Sequence, residues 1–418
     1  MYNNVIGLIY MKYSFKAELL LDTLTVFRGI LSRSVMISMK KLLSACDKKP
    51  SEFLGAYGEF FRVLSDHHAT ESLAGHITRA ALYDENIFTL AAAAGRADEL
   101  PENIKEAVKR DCKSIIFLAN LDAESILNEY TYINDIREIA DTLPRWSCGK
   151  VEPEFENGCD FDRLCAFCKL NGCGIFARWR AFIWRDGDIR PVEHPDKISL
   201  DSFIGYERQR QRVLDNTLAF INGKTCNNCL LYGDMGTGKS STVKALGNEL
   251  RGQGLRVVEM PKERLSEFPL LVDKIAPLPL KFIIFIDDLS FQSQDKSYTS
   301  LKAVLEGGLA ARPSNALIYA TSNRRHLIKE SWADRDTDDI HRRDNMQETL
   351  SLSDRFGLAV NFGNPDKAEF LEIVYALAER AGVTMKKEEL AAKAERFALS
   401  RGGRSPRCAK QFVESLAV

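Results

Sequence analysis

The sequence lacks a membrane span and a strong net charge, and each absence excludes a class of protein. No window reaches the roughly 18 uncharged apolar residues that a bilayer crossing needs. The run from Val26 to Met39 is interrupted by Arg28 and Arg33. The formal net charge is −1, so the whole chain offers no basic field for nucleic acid, although a local basic patch is not excluded. We therefore expect no membrane partner.

An export signal is missing as well. The segment from Met1 to Tyr10 is apolar but has neither a basic start nor a small-residue cleavage site, so we expect a mature, cytoplasmic protein. In that setting the 10 cysteines are thiols or metal ligands rather than disulfides. The 418 residues are 45% hydrophobic and 28% charged, which is typical of about two or three soluble domains.

Glycine and proline are scarce in the first 145 residues, and this region is predicted to be helical. Apolar residues recur there at spacings of three and four, as in 53–64 and 103–118. The series from Ala91 to Ala94 adds strong helix formers. No catalytic constellation stands out, so we interpret the region as a helical bundle for docking or regulation.

After residue 200, short apolar runs alternate with helical stretches, which predicts an α/β fold with a parallel sheet. The predicted strands are Cys229–Tyr232, Leu255–Met260, Phe282–Ile286, Ala316–Ala320 and Leu358–Phe362. Three helices are predicted at the end of the chain: Asp366–Ala381, Lys387–Ser400 and Pro406–Leu416. The organisation is thus a helical region over 1–145, a Cys-rich connector over 146–197 whose Pro191 and Pro195 mark a linker, a core over 198–363 and a helical lid over 364–418.

The strongest motif is a phosphate-binding loop of the form G-x-x-x-x-G-K-[ST]. It comprises Gly233, Asp234, Met235, Gly236, Thr237, Gly238, Lys239 and Ser240, with Ser241 next. A predicted strand precedes it and a helical stretch follows, which is the context that the motif requires. Glycines let successive N–H groups point at phosphate oxygens, Lys239 is expected to reach the β- and γ-phosphates, and Ser240 to bind Mg²⁺. We therefore predict ATP binding with Mg²⁺.

An acidic pair follows a later strand. Phe282–Ile286 is a run of five apolar residues, as in a buried central strand, and Asp287 and Asp288 come directly after it. Carboxyl ends of parallel strands are where α/β sheets bind ligands. Asp287 is predicted to hold Mg²⁺, and Asp288 to orient or deprotonate the attacking water.

Together these motifs resemble the AAA+ superfamily over roughly residues 198–418. The segment 316–323 resembles a sensor-1 strand, and Asn323 matches its polar residue beside the attacking water. Ser351-Leu-Ser-Asp-Arg-Phe356 resembles the segment that carries an arginine finger, which makes Arg355 the candidate. Arg407 stands where the lid helix carries sensor 2, and Gly205 and Tyr206 stand where the chain packs around adenine. The resemblance implies a homo-oligomer, and a hexameric ring in particular.

A narrower resemblance is to a bacterial AAA+ family labelled only as a domain of unknown function. It is carried by the segments 204–209, 287–291 and 350–357 and by the helical region ahead of the core. It implies a fold and ATP binding but no substrate. One departure matters: many AAA+ ATPases have Glu where this chain has Asp288. The shorter side chain draws the carboxylate back by roughly 1.5 Å, so hydrolysis is expected to be slow.

Two weaker patterns each allow a plain and a functional interpretation. A cysteine cluster has metal-knuckle spacing, and four thiolates are candidates for zinc or an iron–sulfur cluster: Cys159, Cys165, Cys168 and Cys173. The plain alternative is a set of reduced, partly buried thiols. Three arginines at alternate positions are interpreted as an exposed helix face: Arg208, Arg210 and Arg212.

The sequence therefore predicts an AAA+ ATP-binding protein that couples Mg²⁺-dependent hydrolysis to conformational change or remodelling of an unknown protein or nucleic-acid partner. Asp288, Asn323, Arg355 and Arg407 are the catalytic candidates. The alternative is a slow-turnover, ATP-dependent switch, loader or adaptor that acts through the helical N-terminal region. A small-molecule P-loop kinase is disfavoured, because kinases do not need the sensor and finger arginines.

Overall fold

The computed structural model describes residues 12–156, 158, 160–289, 301–302, 305, 313–323 and 355–416. The chain divides into two units, Met1–Arg178 and Trp179–Val418, referred to below as the N-terminal and C-terminal units. The division falls inside the segment predicted as a Cys-rich connector. None of the described helices is long and apolar enough to cross a bilayer.

The N-terminal unit is helical, which confirms the prediction. Its helices are α1 Tyr13–Asp22, α2 Ser34–Ala45, α3 Pro50–Asp66, α4 Leu73–Leu82, α5 Ile87–Ala93, α6 Glu102–Ala119, α7 Ala123–Glu129, α8 Arg137–Thr142, α9 Phe161–Asn171 and α10 Gly174–Arg178. Aromatic rings fill the core: Phe53 stacks on Tyr130 with ring centres 3.9 Å apart, and Trp146 packs edge-on against Phe60. The indole N–H of Trp146 donates to the Leu121 carbonyl oxygen at 2.7 Å, so this buried polar group is satisfied.

The C-terminal unit is built on a seven-stranded sheet in the order β2-β1-β4-β5-β6-β3-β7. The strands are β1 Ala181–Arg185, β2 Asp188–Pro191, β3 Cys229–Tyr232, β4 Leu255–Glu259, β5 Lys281–Ile286, β6 Ala316–Ser322 and β7 Leu358–Asn361. Neighbouring strands are parallel except β1 and β2, which are antiparallel. The central strands β5 and β6 are almost wholly buried, as expected for strands covered on both faces.

Helices flank this sheet and form a separate lid. They are α11 Glu207–Ile221, α12 Lys239–Glu249 and α13 Phe268–Ile275, followed by the lid helices α14 Lys367–Arg380, α15 Lys387–Ser400 and α16 Pro406–Leu416. Val213 and Val243 join the core that includes the strands. The lid has its own core around Phe370 and Phe412. A capping box between Asp366 and Glu369 fixes where α14 begins.

The hairpin β1–β2 was not predicted. The predicted linker residue Pro191 ends β2, at the edge of the sheet, where a residue without an N–H is tolerated. The sheet is mostly parallel, as predicted, with this one antiparallel pair at its edge. Asp186 and Gly187 join the two strands with φ angles of 54° and 70°, as in the two-residue turns that match strand twist.

Candidate functional site

The glycine-rich loop 233–238 joins β3 to α12. Gly236 and Gly238 have φ angles of 79° and 92°, which side chains rarely allow. A Cβ atom at Gly233 would lie 2.3 Å from the carbonyl oxygen of Phe362, so the chain after β7 also requires glycine there. A curled backbone of this kind turns N–H groups inward, and the helix N-terminus adds partial positive charge. The loop can therefore receive a phosphate-like anion.

Lys239 begins α12 and folds its side chain back over this loop. Its ammonium group donates to the carbonyl oxygens of Gly233 at 2.8 Å and Asp234 at 2.6 Å. Burial lowers the pKa of Lys239, whereas the carboxylates of Asp234 and Asp288 act against that shift. A buried cation is thus held at the loop by backbone carbonyls and nearby negative charge.

One carboxylate oxygen of Asp287, at the end of β5, receives donors from three places in the chain. The Ser240 hydroxyl of α12 donates to Oδ1 at 2.6 Å, and the Thr321 hydroxyl of β6 donates to the same atom at 2.5 Å. The backbone N–H of Asp288 also donates to it, at 3.1 Å. Because β6 lies between β5 and β3 in the sheet, the carboxyl ends of these strands meet at one edge. The bonds hold Asp287 beside the start of α12.

Asp288 adopts a left-handed backbone conformation, with φ of 49°. For a residue other than glycine such a conformation costs on the order of 1 kcal/mol, and it clusters at functional sites. The N–H of Asp288 also donates to the Thr321 hydroxyl oxygen at 2.9 Å. Its carboxylate accepts from the side-chain amide of Asn323 at 2.8 Å. The turn therefore presents a second, solvent-exposed carboxylate next to Asp287.

A cavity of about 580 Å³ lies over the loop and these carboxylates. Ligand sites for small molecules have volumes of about 300–1,000 Å³, so the space suits a nucleotide. One side is polar and consists of loop residues and the acidic pair. The other side is apolar and includes Ile204, Ile373 and Leu377. The cavity therefore offers both a charged end and an apolar end to one ligand.

The lid contacts the loop through α16. The N–H of Arg407 donates to the carbonyl oxygen of Gly236 at 3.1 Å, and a Cβ at Gly236 would lie 3.0 Å from that of Arg407. Arg407 and Lys410, one turn apart on α16, both line the cavity. Tyr206 borders it too, and its hydroxyl donates to the Gly363 carbonyl oxygen at 2.6 Å; burial raises the pKa of that hydroxyl. Loop and lid thus form one binding surface.

Most of the residues singled out from the sequence come together here. The cavity is lined by Tyr206, residues 235–241, Asp287, Asp288, Asn323 and Arg407. Gly205, Gly233, Asp234 and Arg355 are not among its lining residues. Arg355 lies just ahead of β7, and residues 351–354 of its motif lie outside the described residues.

Several lining residues were not singled out as site residues, among them Thr321, Lys410 and Arg210. Thr321 lies near the end of β6, two positions before Asn323. This spacing could have identified it from the sequence, because side chains two apart on a strand point to the same face. Lys410 follows Arg407 at helical spacing on α16. The prediction that Arg210 lies on an exposed face is wrong: its guanidinium carbon lies 5.1 Å from the centre of the Phe203 ring, and burial lowers its pKa. A ring contact from outside the helix cannot be read from helix periodicity.

Residues 177–418 match a protein family described as "Protein of unknown function (DUF815)", which confirms the resemblance to such a family. Among solved structures, the RuvB Holliday junction branch migration motor of Thermotoga maritima is 18% identical, with a TM-score of 0.35, over 52% of this chain and 63% of that one. AMPPCP-bound DnaA from Aquifex aeolicus is 17% identical, with a TM-score of 0.37, over 53% and 65%. This chain therefore spans less than two thirds of either structure.

The cysteine cluster precedes the matched residues and lies in the N-terminal unit. Cys165 and Cys168 are on α9, Cys173 follows it, and Cys159 lies outside the described residues. Over the part of the chain that the structure describes, no three Cys, His, Asp or Glu side chains form a metal-binding group. Burial raises the pKa of Cys168 to about 12, and burial together with Glu85 raises that of Cys173 to about 12. Cys168 and Cys173 therefore resemble protonated packing groups.

We predict that Cys168 and Cys173 resist alkylation in the folded protein. At pH 8 a thiol with a pKa of about 12 is almost entirely protonated, and the thiolate is the reactive form. Mass spectrometry after brief iodoacetamide treatment should find both residues modified at least tenfold more slowly in buffer than in urea. Elemental analysis of the same untagged protein supplies the control. Stoichiometric zinc or iron that protects both thiols would contradict this prediction.

Proposed function

We propose that this chain, which belongs to the family described as "Protein of unknown function (DUF815)", uses its C-terminal unit to bind and hydrolyse ATP with Mg²⁺. The observation that carries the proposal is the 2.6 Å hydrogen bond between the Ser240 hydroxyl and Asp287. It joins the phosphate loop to the acidic strand end, and phosphoryl transfer in P-loop enzymes requires both parts.

The loop and its lysine are proposed to hold the phosphates. The positive φ angles of Gly236 and Gly238 curl the loop, so backbone N–H groups can donate to phosphate oxygens. Lys239 already lies over the loop, and its ammonium group can exchange carbonyl oxygens for β- and γ-phosphate oxygens. Asp234 accepts from the backbone N–H of Asn364 at 2.8 Å, which ties the loop to the chain after β7.

Ser240 and Asp287 fit a magnesium ion. Their neighbouring hydroxyl and carboxylate oxygens are hard ligands of the kind that Mg²⁺ takes, usually with several waters and the substrate phosphates. Thr321 keeps Asp287 in place by its hydrogen bond. Bound Mg²⁺ would supply charge neutralisation on the β- and γ-phosphates.

Asp288 and Asn323 are proposed to act on water. The Asp288 carboxylate is exposed to the cavity and hydrogen-bonded on one side by Asn323, which leaves its other lone pairs free to orient a water and take its proton. Asn323 is then placed to sense the γ-phosphate through the same bond. The side chain of Asp is one methylene shorter than that of Glu, so turnover is expected to be slow.

The apolar side of the cavity is proposed to hold adenine. Tyr206, Ile204 and Ile373 border this side, and Gly205 has φ of 76°, where a Cβ atom would lie 3.2 Å from the Ile373 side chain. Arg407, on the lid helix α16, also lines the cavity and is proposed to reach the phosphates as the lid closes. Its backbone bond to Gly236 supports a coupling between bound nucleotide and lid position.

Arg355 is proposed to act across subunits. Its position just ahead of β7, in the segment that resembles an arginine-finger motif, is the basis of this role. This implies a homo-oligomer, with a hexameric ring as the specific form. The output is remodelling of a protein or nucleic-acid partner in the cytoplasm.

A second candidate is a nucleotide-dependent switch, loader or adaptor that hardly turns over and acts through the N-terminal unit. Asp288 in the place of the usual Glu favours it. Steady-state turnover separates the two functions: a motor accelerates when its partner is added, whereas a switch binds ATP and releases phosphate slowly in either case.

We predict that Lys239→Ala weakens ATP binding at least a hundredfold, because the phosphate charge loses its close lysine. Titration with a fluorescent ATP analogue measures this. Lys244→Ala is the matched control, since Lys244 is exposed on the same helix and should leave affinity unchanged. Near-native affinity in a folded Lys239→Ala protein would remove the basis of the proposal.

Asp288→Asn should keep ATP binding and lower hydrolysis about a hundredfold or more, because an amide cannot accept the proton of water. Single-turnover phosphate release gives the rate, and equilibrium titration gives the affinity. Asp273→Asn makes the same change at an exposed position on α13 and should have no effect. If Asp288→Asn turns over normally, Asp288 is structural and the base lies elsewhere.

Mixing two inactive variants tests Arg355. Arg355→Ala keeps the phosphate loop and Lys239→Ala keeps the finger, so a 1:1 mixture should restore activity at about a quarter of the interfaces of a ring. ATP should also promote a larger assembly, visible by light scattering. A wild-type chain that stays monomeric at all concentrations while hydrolysing ATP would show that no finger acts in trans.

A further inference from the structure

A second groove lies in the N-terminal unit, between α1 and α6, and the proposed ATPase does not use it. Its volume is about 440 Å³. Four cations line it: Lys16 from α1 and Lys109, Arg110 and Lys113 from α6. Glu106 is the one acidic residue among the described residues of its lining. The groove is therefore positively charged although the whole chain is nearly neutral.

These cations are not engaged by acidic partners. Within the described part of the chain none of the four forms a salt bridge. Arg110 donates to the carbonyl oxygen of Thr23 at 2.9 Å, which uses a neutral acceptor and holds the guanidinium in place. All four cations are exposed, so their charge faces solvent.

Apart from Glu106, which lines the groove, acidic side chains of the same helices are bonded outside it. Asp22 pairs with Lys40 of α2, and Glu18 accepts from the Ser44 hydroxyl, also on α2. Asp111 of α6 is buried and accepts the N–H groups of Thr25 and Phe27 at 2.9 and 3.1 Å. The separation of the two signs leaves the groove as a cationic strip.

The floor of the groove is apolar and aromatic. Leu20 and the half-buried Phe117 line it, and the Phe117 ring centre lies 4.6 Å from that of Tyr13. The ammonium group of Lys16 lies 4.6 Å from the same Phe117 ring centre. Lys109 and Lys113 are one helical turn apart, about 6 Å along the axis. Spaced cations thus border a small apolar and aromatic surface, and Lys16 lies over its ring.

We propose that this groove binds single-stranded nucleic acid. Phosphates would lie along Lys109, Arg110 and Lys113, and a base would pack on the floor at Phe117, the combination by which single strands are held without sequence preference. An acidic protein segment is the other polyanion to consider. It would use the cations but would gain little from an aromatic floor, so the groove favours the nucleic acid.

Charge reversal tests the proposal on the full chain without nucleotide. Fluorescence anisotropy of a labelled oligothymidine of about 20 nucleotides follows binding across salt concentrations. Lys109→Glu/Lys113→Glu should weaken binding at least tenfold at low salt and reduce the slope of log K against log salt by about 1.4, or 0.7 for each lost contact. Lys41→Glu/Lys150→Glu makes the same charge change at exposed positions outside the groove and should stay within twofold of wild type.

Equal affinity of Lys109→Glu/Lys113→Glu and of its control Lys41→Glu/Lys150→Glu for the oligonucleotide would overturn the proposal. Far-UV circular dichroism shows whether each variant is folded. If the Lys109→Glu/Lys113→Glu protein does not fold, Lys109→Gln/Lys113→Gln takes its place. This variant should also weaken oligonucleotide binding and reduce the slope of log K against log salt.

A second comparison distinguishes the nucleic acid from an acidic protein segment. Phe117→Leu keeps an apolar side chain but removes the ring, and it should weaken oligothymidine binding about fivefold or more. A polyglutamate peptide of matched charge should compete poorly with the oligonucleotide. Efficient displacement by polyglutamate, together with unchanged binding by a folded Phe117→Leu protein, would assign the groove to an acidic protein partner instead.

Discussion

The hydrogen bonds that converge on Oδ1 of Asp287 tie the nucleotide cavity together. A serine from the helix after the loop, a threonine from β6 and the next backbone N–H all donate to this one atom. Hydrogen bonds to a carboxylate are stronger than neutral ones, and the two from Ser240 and Thr321 join segments that are far apart in sequence. The position of the phosphate loop against the acidic strand end therefore depends on the Asp287 carboxylate. The same bonds leave the neighbouring Asp288 turned toward solvent.

Backbone contacts set the other boundary of the site. Gly233 passes so close to the chain after β7 that a side chain there would strike the Phe362 carbonyl. Gly236 accepts from the first turn of the lid helix α16. The loop is thus held from one side by the end of the sheet and from the other by the lid. A ligand that shifts the loop must also shift these contacts. The proposed coupling of nucleotide binding to lid movement rests on this constraint.

Periodicity and motif spacing predicted most of the C-terminal unit. The strand Cys229–Tyr232 and the helices Lys387–Ser400 and Pro406–Leu416 match the structure at both ends, because each is a strongly patterned segment bounded by turn residues. The hairpin β1–β2 was missed although Asp186-Gly187 is a recognisable hairpin turn. Because of the nearby cysteines and Pro191, this segment was predicted to be a linker instead.

Features that depend on tertiary contacts were beyond the sequence. Arg210 looks like one of three surface arginines until Phe203 is found against it. The role of Thr321 depends on a hydrogen bond to a strand 34 residues away in sequence. The cationic groove needs α1 and α6 side by side, with Glu18, Asp22 and Asp111 bonded outside it. Net charge of −1 conceals such a patch, because the sum over a chain carries no information on position.

Phosphate release by the wild-type chain, measured with saturating ATP first in Mg²⁺ and then in EDTA, tests the central claim most directly. An ATPase that binds its metal through Ser240 and Asp287 should release phosphate in Mg²⁺ and none above background in EDTA. Restoring excess Mg²⁺ should restore the rate, which excludes irreversible damage by the chelator. Equal release with and without the metal, or no release over hours in Mg²⁺, would contradict the proposed ATPase.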